Sequence, residues 1–154
     1  MGRYFVLPSP EIQRKVNEAF GSDQYARLAA GWLKAVSDVE RATGRKVPTW
    51  TAEQQTRLSL PEQLRGVEGR ADPTSGHYIG LQRDIGWSRW PLELKRQVAA
   101  SLEAQGFAVE RTRDGRVLRR HLHYGVSKAE IRRRGLVPLI EGVVGKLRAA
   151  GAAR

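Results

Sequence analysis

The sequence predicts an α+β fold that is mainly helical: helices at the N-terminus, a helix, glycine turn and second helix followed by a two-stranded hairpin, then helices at the C-terminus. Three observations carry that prediction. Apolar residues recur at helical spacing, most clearly in Tyr25, Leu28, Ala29, Trp32, Val36 and Val39. Cap residues and glycines bracket such stretches, as Ser9, Pro10 and Gly21 do around EIQRKVNEAF. Finally, Asp114-Gly115 separates two strand-like runs, FAVERTR and RVLRRHLHY, and a two-residue Asp-Gly in that position is the strongest short-range hairpin signal.

Taken in order, Tyr4 to Leu7 reads as extended, and Pro8 ends it. Ser9 caps a helix over about residues 10–20, with Pro10 at the first helical position and Gly21 closing it. The stripe from Tyr25 to Val39 lies between Ser22 and Gly44 and marks a core-facing helix. Lys46 to Trp50 is a connector. Thr51 opens TAEQ, a capping box with Gln54, and its short helix runs to Leu60, where Pro61 interrupts; PEQLRGVEG adds a turn. Gly66 to Gly76 is rich in turn formers and lacks periodicity. The chain thus divides into a helical region at 1–66, a linker at 67–76, a module at 77–126 and a helical extension at 127–154.

Within the module, Tyr78 to Ile85 reads as a short helix that Gly86 breaks, and Ser88 caps a longer one from about Pro91 to Gln105 that Gly106 closes. Pairing Arg113 with Arg116 across the hairpin sets Phe107 opposite Leu122 and Glu110 opposite Arg119. Ser127 and Glu130 repeat the capping box in SKAE, and Pro138 restarts a last helix at about 137–149. Trp87 is expected to be buried under the turn and Trp90 partly exposed.

At 154 residues, with 40% apolar and 28% charged residues, the chain supports a single main core. It has no cysteine, which excludes disulfides and thiolate zinc sites. His77, His121 and His123 are its only histidines, and neither a metal nor a cofactor is expected. No apolar run approaches the roughly 20 residues of a membrane helix, and the apolar part of MGRYFVLPSPE is short for a secretory signal. The expected location is the cytoplasm, or for a phage protein the infected cell or virion, with no membrane partner.

Charge is the most informative bulk property. Twenty-seven Lys and Arg against 16 Asp and Glu give a formal charge of +11. From Arg111 to Arg134, Arg111, Arg113, Arg116, Arg119, Arg120, Lys128, Arg132, Arg133 and Arg134 face only Asp114 and Glu130, a local +7. Clustering of this kind points to a polyanion, and nucleic acid is the commonest. Arginine suits phosphate and guanine because its planar fork grips in two places.

Leu81, Ile85, Gly86, Trp87 and Ser88, followed by LEAQGFAVERTRDGR, give the order helix, glycine turn, helix, basic hairpin. Over residues 78–120, under a third of the chain, this resembles the winged helix-turn-helix superfamily of bacterial and phage regulators. The resemblance implies that residues 89–104, with Arg89, Lys95 and Arg96, approach the major groove. It also implies a wing whose Arg111, Arg113, Arg116, Arg119 and Arg120 contact the backbone; Lys128, Arg132, Arg133 and Arg134 would hold further phosphates. A second stretch, HLHYGVSKAEIRRRG, resembles the tail of such a motif but has Arg120 and His121 where apolar residues belong.

Enzyme motifs are scarce. No GxxxxGK[ST], no GxSxG and no paired carboxylate cluster for a two-metal nuclease occurs. His121 and His123 alternate onto one strand face near Arg119, a pattern open to a metal-independent ribonuclease. Three readings therefore stand: a non-enzymatic nucleic-acid binder, DNA before RNA, acting as a regulator or as a DNA-processing factor of a phage or mobile element; a virion, connector or other assembly protein with a basic face; and a histidine-based ribonuclease. In the first, the N-terminal helices serve a homodimer or a larger assembly.

Overall fold

The computed structural model describes residues 4–5, 8–48, 58–59 and 75–152. Helix α1 (Pro10–Phe20) starts where its cap chemistry demands: Ser9 Oγ accepts from the Ile12 amide at 3.3 Å, and Gly21 closes the helix at φ 73°. Helix α2 (Gln24–Thr43) is capped by Asp23 rather than Ser22. Its carboxylate takes the amides of Tyr25 and Ala26 at 3.0 and 3.1 Å, a negative charge placed at the favourable end of the helix dipole. Of the expected stripe of α2, Tyr25, Leu28, Trp32, Val36 and Val39 are buried and Ala29 is half-buried.

Strand β1 (Tyr4–Phe5) pairs antiparallel with β2 (Leu58–Ser59). The helix expected from Thr51 to Leu60 and the turn after Pro61 lie outside the described residues, except Leu58 and Ser59, which are strand. Of the 67–76 linker, Ser75 and Gly76 are described.

The largest correction falls on Tyr78 to Ile85. Gly76–Ile79 is a single 3-10 turn closed by Gly80 at φ 74°, and Gln82–Gly86 is strand β3. Leu81 and Ile85 stand four apart, a spacing that puts two residues on one side of a helix and equally on one side of a strand. With β4 (Ala108–Val109) and β5 (His121–Gly125), β3 builds an antiparallel sheet in the spatial order β3-β5-β4. The brace helix of a helix-turn-helix at Leu81–Ser88 is therefore not formed. Ser88 caps nothing: Trp87 to Trp90 is a turn, the Trp90 amide donating to the Trp87 carbonyl at 2.9 Å, and helix α3 (Leu92–Ala104) starts after Pro91 without a side-chain cap.

The hairpin forms, with its tip close to the expected pairing. Arg111 bridges Val117, and the Thr112 amide donates to the Arg116 carbonyl at 2.9 Å. At the base the register differs: Glu110 meets His123, four positions beyond the expected Arg119. The cause is Leu118–Arg120, which leaves the ladder as a bulge and gives its carbonyls to a distant turn and helix. Leu118 O accepts from Trp87 Nε1 at 2.9 Å, Arg119 O from Lys95 Nζ at 2.9 Å, and Arg120 O from the Trp87 amide at 3.1 Å. Trp87→Phe removes one of these ties and leaves a gap in the core, so it is expected to cost about 2 kcal/mol in urea unfolding. A change within experimental error of zero would mean that the bulge is not held this way.

Ser127 Oγ accepts from the Glu130 amide at 3.1 Å and opens α4 (Lys128–Arg133); α5 (Val137–Ala152) follows around Pro138. One core joins the five helices and the three-stranded sheet, from Val16 through Trp32, Ile85, Leu102 and Tyr124 to Ile131, Ile140 and Val144. Trp90 belongs to it at 9% exposure, contrary to the expected partial exposure. The Trp87–Trp90 turn folds its ring back to 6.2 Å from Trp32 and 5.7 Å from Trp87. Among the described residues, no helix is long and apolar enough to cross a membrane.

Candidate functional site

Strand alternation sorts the three-stranded sheet into two faces. Ile85, Leu122 and Tyr124 point into the core. Arg83 shares that side at 2% exposure, and its terminal nitrogens make no hydrogen bond among the described residues. Burial pushes the Tyr124 hydroxyl pKa up, and the neighbouring Arg83 guanidinium opposes that shift. The other face carries Gln82, Asp84, His121 and His123, with Asp84 directly opposite His123.

The 3-10 turn brings His77 onto this polar face. Its ring stacks on that of His123 with centroids 4.9 Å apart and planes 15° apart. His77 Nε2 lies 3.5 Å from Asp84 Oδ2, and Glu110 Oε2 lies 2.8 Å from His123 Nδ1. Single ligand atoms from His77, Asp84 and His123 all fall within 4.8 Å of one another, so these three residues are placed to hold a metal ion. Asp84 Oδ1 and His123 Nε2 are buried and make no hydrogen bond among the described residues. Burial raises the Asp84 carboxyl pKa, while His123 and His121 pull it down and Glu110 adds to the rise. A cleft of about 440 Å³ borders the cluster, lined by Ser75, Gln82, Glu110, His123, Ser127 and Lys128 among others.

None of this grouping is visible from spacing alone: His121 and His123 alternate onto one strand face, yet His123 takes His77 and Glu110 as its partners and His121 stays exposed. A strand at 82–86 would have placed Asp84 on the same face as His123; the helical reading hid that signal.

The predicted phosphate contacts separate into engaged and unengaged groups. Lys95 is 6% exposed, and its ammonium serves the Arg119 carbonyl, so it is a structural residue rather than a nucleic-acid contact. Arg111 grips Glu103 with two nitrogens at 2.6 and 3.0 Å and holds that carboxyl below its usual range. Arg116 pairs with Asp114, while Arg133 and Arg134 share Glu130, each at 2.8 Å. Arg134 also lies over the Phe20 ring, 5.2 Å from its centroid. Lys128 lines the cleft beside His123. Arg89, Arg96, Arg113, Arg119, Arg120 and Arg132 are exposed and meet no carboxylate among the described residues.

Helix α3 does not present a basic face. Leu92, Glu93, Arg96, Ala100, Glu103 and Ala104 are its outward residues, and two carboxylates against one arginine do not suit an approach to phosphate. The bulge at 118–120 does better. Its ties to Trp87 bring Arg119 and Arg120 to the turn that carries Arg89, on the ribbon whose tip holds Arg113. No protein-family model, curated protein or solved structure matches the chain.

Proposed function

We propose that this protein is a non-enzymatic nucleic-acid binder that grips the phosphate backbone of duplex DNA with Arg89, Arg113, Arg119 and Arg120. The observation that carries this reading is the bulge at 118–120. Its backbone is held by Trp87 and Lys95, and its two arginines emerge exposed, with no carboxylate partner among the described residues, beside the turn that carries a third. Like charges gathered on one surface gain most from a polyanion, and each phosphate neutralised releases condensed counterions. Of the winged-helix likeness, the proposal keeps the wing and omits the recognition helix. Binding is therefore backbone-directed and largely blind to sequence, which suits DNA processing or packaging better than operator selection. The ribonuclease reading finds less support, since His121 and His123 do not act as a pair.

Fluorescence anisotropy with random duplex DNA, over a salt titration starting at about 50 mM, tests the proposal. Engagement of four phosphates predicts a log–log slope of about −3 to −4. Absence of duplex binding at the lowest salt would refute it, and a large closed oligomer that binds no nucleic acid would favour the assembly reading. Preference for single strands or RNA would retain the basic ribbon and replace the duplex.

A further inference from the structure

We propose that His77, Asp84 and His123 form a binding site for a divalent first-row transition ion of the zinc type, with Glu110 orienting His123 from behind. The three donors come from the 3-10 turn, β3 and β5, and the fold alone brings them together. Bonds of about 2.0–2.1 Å in tetrahedral geometry place neighbouring ligand atoms roughly 3.3 Å apart. His77 Nε2 and Asp84 Oδ2 already lie at 3.5 Å, and the full set fits within 4.8 Å. Closure needs side-chain adjustment only.

Two further observations point the same way. A histidine that ligates a metal through one ring nitrogen usually donates the other N–H to a carboxylate, which fixes its tautomer and direction. Glu110 sits at 2.8 Å from His123 Nδ1 in that role, leaving Nε2 buried and without a hydrogen bond among the described residues. Asp84 Oδ1 is likewise buried and unmatched. An ion pair between His77 and Asp84 alone would leave both atoms desolvated for no return; a cation held by His123 Nε2 and one oxygen of the Asp84 carboxylate compensates both residues. Two imidazoles with one carboxylate select a borderline ion such as zinc over magnesium or calcium, which prefer all-oxygen shells. Three protein donors leave a fourth coordination position for water or another small ligand. The cleft along His123 and Glu110 provides access.

The test is isothermal titration of the untagged, chelator-stripped full chain with zinc, backed by the visible spectrum of its cobalt(II) form. One equivalent is expected, with cobalt bands of four-coordinate geometry. Asp84→Asn and His123→Ala should each weaken zinc binding by about a hundredfold or more, and Glu110→Gln by about ten- to a hundredfold. His121→Ala, on the same strand but exposed, should leave binding unchanged. Circular dichroism verifies folding of each variant, and the cobalt spectrum of the unmutated chain stands even where a variant does not fold. Failure of the unmutated chain to take up either ion at about 100 µM, or uptake that folded Asp84→Asn and His123→Ala both retain in full, would overturn the proposal.

Discussion

Gly125→Ala is expected to remove about 4 kcal/mol or more of folding stability, a large share of the roughly 5–15 kcal/mol by which a protein of this kind is stable. Gly125 sits in the central strand, opposite Gln82 of β3 and Ala108 of β4. A methyl group there would press on the Leu81 carbonyl oxygen and lie 2.7 Å from Gln82 Cα. Neither neighbour is a side-chain end that can swing away. Leu81 O is fixed by the Val126 amide at 2.9 Å, so relief requires β3 to separate from β5. For a chain of this length, the loss corresponds to a fall in melting temperature of about 8–16 °C. Gly142→Ala and Gly145→Ala serve as controls. An added Cβ meets nothing within 4 Å at either position of α5, and each change should stabilise by about 0.5–1 kcal/mol. If Gly125→Ala melts within about 1 kcal/mol of the parent, the pairing of β3 with β5 is not as described.

The double change Arg119→Ala with Arg120→Ala is expected to give the largest functional loss. Each arginine released from a phosphate lowers the salt slope by about 1, so the pair should lower it by about 2 and weaken duplex binding by roughly a hundredfold at low salt. The informative comparison is Arg133→Ala with Arg134→Ala. It removes the same formal charge from two arginines already shared with Glu130, so the expected loss is well below that of the first pair. Anisotropy on both variants decides the matter. Equal losses would show that only net charge counts and that the ribbon has no special place. Stability should hardly change in the first variant, because the fold uses the carbonyls of the bulge and not its side chains.

What could be read from the sequence follows the range of the forces involved. Helix α1 was legible to the residue because caps act within one turn: Ser9, Pro10 and Gly21 decide it without outside help. The hairpin tip was legible for the same reason, through Asp114 and Gly115. Its base was not, since the bulge at Leu118–Arg120 is set by Trp87 and Lys95, more than twenty residues earlier. Strand β3 was missed because Leu81 and Ile85 satisfy both periodicities, and only pairing with β5 selects the strand. The histidine and carboxylate cluster fell with that error: Asp84 and His123 become neighbours only once residues 82–86 are extended. Lys95 shows the limit of counting charges, because a charge count does not distinguish a lysine that meets a ligand from one whose ammonium is needed inside the fold.

The bulge at residues 118–120 also bears on how this surface can change over time. Backbone carbonyls hold it, and every amino acid carries one. Positions 119 and 120 can therefore accept nearly any residue without penalty to folding, so the recognition properties of the ribbon are free to drift or be reselected while the scaffold beneath it stays fixed.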